Sequence, residues 1–172
     1  MKKILAPITI AFAFTVSAWA ADVTVKISDV HLCCKSCVTG VEKAVGEVQG
    51  VTASVDKDAG TVSLTGSDTA TVQKAANALV AAGYFGKSSD NIVKIADKSG
   101  AKGKKVQTLK VSGVHLCCGK CVKAVDEVVK SVPGAKGHDA KKDAESFTVT
   151  GDFTDKDLTA ALQKAGLTGK VE

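Results

Sequence analysis

The chain contains no arginine: all 23 basic residues are lysines. Arginine supplies the planar fork that grips phosphates and base edges, so its absence argues against a nucleic acid partner. Proline is nearly absent too, with only Pro7 and Pro133. Aromatic residues make up 4 % of the chain, and three of them (Phe12, Phe14, Trp19) fall within the first twenty residues. The remaining core must be built from Val, Ala, Leu and Ile. In 172 residues this suits small two-layer domains better than one large core. The strands also lack the paired aromatics that single-stranded RNA stacks upon. One apolar stretch, Ile4 to Val16, is interrupted by Pro7 and too short for a comfortable membrane span; no second one follows.

That stretch has the layout of an export signal. Lys2 and Lys3 precede it, and Ala18-Trp19-Ala20 follows as an A-x-A cleavage site. Residues 1–20 are therefore expected to be a signal peptide, with the mature chain starting at Ala21. No cysteine lies near the cleavage site, so no stable membrane anchor is expected. The short signal points to the periplasm, with secretion as the alternative. The net charge is +5, and removal of Lys2 and Lys3 leaves +3, a mild excess.

What the chain does have is a repeated cluster. Residues 31–37 read HLCCKSC and residues 115–121 read HLCCGKC. Their surroundings align at the same offset: VKISDVHLCCKSCVTGVEKAVGEVQG matches LKVSGVHLCCGKCVKAVDEVVKSVPG, and AGYFGK matches AGLTGK. This is an internal duplication. The units are placed at 22–97 and 106–172. The Lys- and Gly-rich segment between them (98–105) reads as a flexible, solvated linker.

Each unit shows one pattern. Val23, Val25 and Ile27 alternate as in a half-buried strand, and Val38, Val41, Val45 and Val48 follow at helical spacing up to Gly50. Val51 to Val55 and Val62 to Leu64 flank the turn KDAG, a hairpin signal. Val72 to Val80 form a second amphipathic helix capped by Ser67 or Asp68. Tyr84 to Ser88 is a fourth strand, with Ile92 to Ile95 extending the sheet. The second unit repeats this through Leu109 and Val111, Val122 to Val132, a weakly patterned strand over 135–141, Phe147 and Val149, and a helix from Leu158 to Ala165 capped by Thr154. The expected fold class is α+β: two tandem ferredoxin-like βαββαβ domains, each a four-stranded antiparallel sheet with two helices on one face.

In that order each cluster lies between the first strand and the first helix. Cys37 and Cys121 enter the first helical turn, where unpaired N–H groups and the helix dipole favour anionic sulfur. Thiolates are both the metal-binding and the nucleophilic form. The C-x-x-C spacing lets Cys34 converge with Cys37, and Cys118 with Cys121, on a soft ion such as Cu(I), Hg(II), Cd(II) or Zn(II). Structural disulfides are less favoured, since each triplet is too compact to staple a fold. The stronger rival is a periplasmic thiol–disulfide redox module using the C-x-x-C pairs. Against it stand the absence of proline from the first unit and a third cysteine that a dithiol pair does not need. No Ser-His-Asp set, acid pair or phosphate-binding loop appears, so an enzyme is not expected.

On these residues each unit resembles the heavy-metal-associated domain family. The family includes copper chaperones, the N-terminal modules of metal-pumping P-type ATPases and the periplasmic mercury-binding protein of mercury-resistance systems. The resemblance covers nearly the whole mature chain. It rests on the element order, the C-x-x-C at a helix start and the A-G-Y ending. It implies that Cys34, Cys37, Cys118 and Cys121 are the paired ligands of the motif G-M-x-C-x-x-C. It also implies that the metal passes to a partner, such as a membrane transporter or resistance protein, by thiolate exchange. The departures are His31 and His115 at the motif glycine, Leu32 and Leu116 at the methionine, and Cys33 and Cys117 at the variable position. Three thiolates suit a trigonal Cu(I) or Hg(II) site, and a histidine in addition would match a Cys₃His zinc site. Cys33 and Cys117 are thus additional candidate ligands, and His31 and His115 further ones. His138 has no counterpart in the first unit and reads as ordinary surface. Tyr84, replaced by Leu167 in the second unit, reads as packing. One ion per domain is expected, although two facing clusters would be able to share one.

Overall fold

The computed structural model describes residues 22–172. The expected signal peptide and its cleavage site lie outside the described residues. The element order is β1 (Val23–Ser28), α1 (Lys35–Gly46), β2 (Val51–Asp56), β3 (Thr61–Gly66), α2 (Thr69–Ala81) and β4 (Lys87–Ser88). It continues with β5 (Lys105–Ser112), α3 (Gly119–Ser131), β6 (Ala135–His138), β7 (Ser146–Thr154), α4 (Asp155–Lys164) and β8 (Lys170–Val171). Two four-stranded antiparallel sheets result, ordered β2-β3-β1-β4 and β6-β7-β5-β8. These are the two ferredoxin-like domains expected from the duplication.

The alternation in β1 places Val25 and Ile27 on the buried face, opposite Leu64 and Val62 of β3. Val41 and Val45 of α1, and Val72, Ala75, Ala76 and Leu79 of α2, close over them. The second domain buries Leu109, Val111, Val125, Val129, Phe147, Val149, Leu158 and Leu162 in the same way. Asp68 caps α2 by accepting from Thr71 N–H, and Thr154 caps α4 by accepting from Asp157 N–H. In the hairpin turn, Asp56 accepts from the N–H groups of Asp58 and Ala59.

Several local expectations change. Residues 92–95 form no strand: Gln73 donates to the Lys94 carbonyl and accepts from its N–H, holding that segment against α2 with Val93 buried. Strand β6 ends at His138, short of residue 141, because the Asp139 carboxylate takes the Thr148 N–H. His138 is not free surface: its Nδ1 accepts from Ala140 N–H and its ring meets Phe147 edge-on. The linker is also tied down. The Asp155 carboxylate accepts from the N–H groups of Lys102, Gly103 and Lys104, while Val171 N–H bonds to the Ser99 carbonyl. Glycine and lysine content predicted mobility, but a buried carboxylate gathers these N–H groups instead.

The two domains dock through matching segments. Tyr84 forms an antiparallel bridge with Leu167. Gly166 carbonyl accepts from His31 and Phe85 N–H, and Gly83 carbonyl accepts from Thr168 N–H. Gly83 and Gly166 both have positive φ, 88° and 77°. A Cβ on Gly83 would sit 2.6 Å from His115 N, and one on Gly166 would sit 2.5 Å from Asp29 O. Each domain thus presses the end of its second helix onto the cysteine loop of the other. Among the described residues no helix is long and apolar enough to cross a membrane.

Candidate metal centre

Each cysteine loop leaves its first strand through a Val-His-Leu segment whose valine and leucine are buried, and enters a helix at a cysteine. Cys34 and Cys118 are the N-caps of α1 and α3, both with extended backbone. Neither has a side-chain capping hydrogen bond, so both helix N-termini present N–H groups to the sulfur cluster. Cys37 and Cys121, one turn in, are fully buried, whereas Cys33, Cys34, Cys117 and Cys118 are half-buried.

The two clusters face one another and merge. Within the first domain, Cys37 Sγ lies 3.6 Å from Cys33 Sγ and 3.7 Å from Cys34 Sγ. Within the second, Cys121 Sγ lies 3.7 Å from Cys117 Sγ and 3.9 Å from Cys118 Sγ. Contacts across the boundary are as short: Cys33 to Cys118 3.3 Å, Cys33 to Cys121 3.5 Å, Cys34 to Cys117 3.4 Å and Cys37 to Cys117 3.4 Å. All six are free thiols. Two sets of four sulfurs, each mutually within 4.8 Å, are Cys33, Cys117, Cys118, Cys121 and Cys33, Cys34, Cys37, Cys117. The sequence placed each cluster between the first strand and first helix of its own domain and left open whether the two face each other; docking brings them together, with each covered by the opposite domain.

The histidines flank this core and belong to neither set. His31 Nε2 and His115 Nε2 are buried without a hydrogen-bond partner. Burial holds the His31 imidazole below its usual range, against the pull of the Cys37 thiolate, with His115 adding to the depression. Tyr84 does more than pack. Its hydroxyl donates to the Cys37 carbonyl at 2.9 Å, and its ring lies 4.7 Å from the His115 imidazole. The recurring A-G-Y and A-G-L endings were visible in the sequence, but nothing there showed that they reach the neighbouring domain's cysteine loop.

Crowded sulfurs cannot all ionise together. In the Cys37–Cys121 pair the neighbouring thiol hydrogen bond favours a Cys37 thiolate, helped by His115, and holds Cys121 as the protonated partner. Burial pushes Cys33 up to about 12 and raises Cys117 as well. Cys118 also meets a burial penalty, but the Cys121 N–H, the Cys33 thiol, the Lys120 N–H and the Cys121 thiol together outweigh it and bring the thiol down to about 7. Full ionisation of the cluster therefore requires a compensating cation, which is the role of a bound metal.

Among comparisons with known proteins, the family profile bears on this chemistry. A family profile described as heavy-metal-associated domain matches residues 24–85 and 108–168, more than half of the chain. Solved structures similar to the chain include the N-terminal domain of PacS from Synechocystis PCC6803 (24% identity, 39% of this chain and 98% of that one, TM-score 0.35). Another is the apo heavy-metal-associated domain of the copper chaperone for superoxide dismutase (23% identity, 49% and 84%, TM-score 0.35). A third, the N-terminal soluble domains of Bacillus subtilis CopA, spans both units (17% identity, 89% and 95%, TM-score 0.32). No curated protein matches the chain. The profile match and the thiol cluster together support heavy-metal binding. The chain belongs to the heavy-metal-associated domain family, of which it carries two copies in tandem.

Proposed function

We propose that this is an exported, periplasmic metal-binding protein. It captures soft ions, among Cu(I), Hg(II), Zn(II) and Cd(II), and sequesters them or passes them to a membrane transporter or resistance protein. The observation that carries this reading is the convergence of six free thiols, three from each domain, at two helix N-termini. Soft thiolates select these ions over hard ones. Cys33, Cys34, Cys117 and Cys118 are half-exposed, so an incoming partner thiolate can reach them while Cys37 and Cys121 hold the ion from within. Export is supported by Lys2-Lys3, the apolar stretch and Ala18-Trp19-Ala20.

The test is a competition titration of the reduced protein with each of the four ions. Tight binding to at least one is expected, and no tight binding to any would remove the reading. A thiol–disulfide exchange assay tests the rival; turnover with a strongly oxidising Cys34–Cys37 couple would replace metal capture with redox chemistry. Cell fractionation with N-terminal sequencing tests the location, with a periplasmic chain beginning at Ala21 as the expected result.

A further inference from the structure

The arrangement of the six sulfurs has a countable feature. Each four-sulfur set takes three thiols from one domain and one from the other, and the thiols in common are Cys33 and Cys117. Two tetrahedral ions sharing one edge need eight ligand positions filled by six sulfurs, two of them counted twice. We propose that the domains hold a pair of metal ions in one core, each ion facing four sulfurs, with Cys33 and Cys117 bridging both. This rests on the metal-binding reading above and narrows its ion class and stoichiometry.

Three observations point the same way. A Zn–S bond of about 2.3 Å puts the sulfurs of a regular tetrahedron about 3.8 Å apart. Eight of the eleven sulfur pairs within the two sets are 3.3 to 3.9 Å apart, and the other three, the shared Cys33–Cys117 edge among them, lie within 4.8 Å, so a slight opening admits an ion to each. Four sulfurs in a tetrahedral set suit Zn(II), or the larger d¹⁰ ion Cd(II). Charge selects the same class: six thiolates around two divalent ions leave two negative charges, whereas two monovalent ions leave four. The N-termini of α1 and α3 face that residual charge. Finally, an open groove lined by Asp29, His31, Cys33, Asp58 and Lys164 reaches the first bridging residue from solvent and supplies an entry path. On loading, each ligating S–H loses its proton to solvent as the S–metal bond forms, and no electron moves.

The bridge assigns a role to one of the departures from the family motif, the cysteine at its variable position. A third thiol per domain is superfluous for a two-coordinate site in each domain, but it is what allows each domain to complete the other's ion.

The reduced mature chain from Ala21 onward, loaded with ¹¹³Cd(II), tests this by native mass spectrometry and ¹¹³Cd NMR. Two ions per chain are expected, with two all-sulfur resonances split by mutual Cd–Cd coupling through the bridges. In Cys33→Ser, and separately in Cys117→Ser, both resonances should shift and both ions should bind at least tenfold more weakly, because each ion loses one sulfur. Circular dichroism of the metal-free variants checks that both domains still fold; both positions are half-exposed, so folding is expected to survive. Two uncoupled resonances, or a shift of only one resonance in each variant, would overturn the bridge while leaving heavy-metal binding intact. Binding of Cu(I) but not Cd(II) or Zn(II) would do the same. Failure to bind any soft ion would overturn both.

Discussion

The two domains descend from one pattern but end their second helices differently. The first runs Ala82-Gly83-Tyr84 and the second Ala165-Gly166-Leu167, and Tyr84 and Leu167 pair across the boundary between them. Both are fully buried. The glycines do the same work on each side, letting the opposite cysteine loop lie against bare backbone. The tyrosine does more than its leucine counterpart. It fixes the Cys37 carbonyl through its hydroxyl and supports the His115 ring. The first domain's loop is thereby anchored by its own tyrosine, while the second domain's His115 rests on that same side chain. A duplicated unit has become one half of an asymmetric pair, and Tyr84 is the side chain through which the difference reaches both cysteine loops.

The comparison can be broken most severely at the glycines. Gly83→Ala and Gly166→Ala should each cost about 4 kcal/mol, combining backbone strain at positive φ with overpacking against the opposite loop. Small-angle scattering should show the domains apart, and thermal unfolding should split into two transitions. An unchanged envelope in both variants would show that the glycines do not govern docking.

A smaller effect is expected at Asp155, which belongs to the second domain alone. Asp155→Ala leaves three linker N–H groups without their acceptor and should cost about 2 kcal/mol, with Asp155→Asn recovering part of it. Although burial opposes ionisation, the three N–H groups hold this carboxyl below the usual range. Its contribution is therefore present above the unfolded pKa, about 3.9, and is lost as pH falls through the lower folded value. Acid unfolding of the wild type and the Asn variant should converge below that pH.

The tyrosine–leucine difference is sharpened by Tyr84→Phe. It removes one hydrogen bond and should cost about 1 kcal/mol in denaturant titrations, while leaving the domains docked. Tyr84→Leu makes the two residues of the bridge alike, and His115 should then lose its ring contact, visible as a shift of its imidazole resonances.

The smallest effect at neutral pH is the titration of the metal-free cluster. Cys33, pushed up to about 12, and Cys117 and Cys121, also raised, favour the docked state below the thiol's unfolded pKa, about 8.5. That contribution fades as pH rises above it, so metal-free docking should loosen between pH 8.5 and 12. Metal affinity should move in the opposite sense and increase with pH, because loading expels these protons. A pH-independent affinity between pH 6 and 8 would show that the raised thiols are not ligands.

Most of the fold was legible because it is written in local periodicity. Val25 and Ile27 alternate, Val41 and Val45 recur one helical turn apart, and Asp68 and Thr154 sit where a cap is needed. The errors arose where a side chain from elsewhere claims a backbone group: Gln73 at Lys94, Asp139 at Thr148, and Asp155 at the linker. Such partners lie outside the span of a helical or strand repeat and leave no periodic trace.

The sequence by itself determined two repeated domains and a C-x-x-C at each strand-to-helix junction, since both depend on spacing within a few turns of chain. Only the tertiary structure decided that the two sites are one. Bringing Cys33 against Cys118 and Cys121, and Cys117 against Cys34 and Cys37, depends on contacts between residues 80 to 88 positions apart. That contact is set by the shape of two glycine corners and by what a tyrosine and a leucine bury between them.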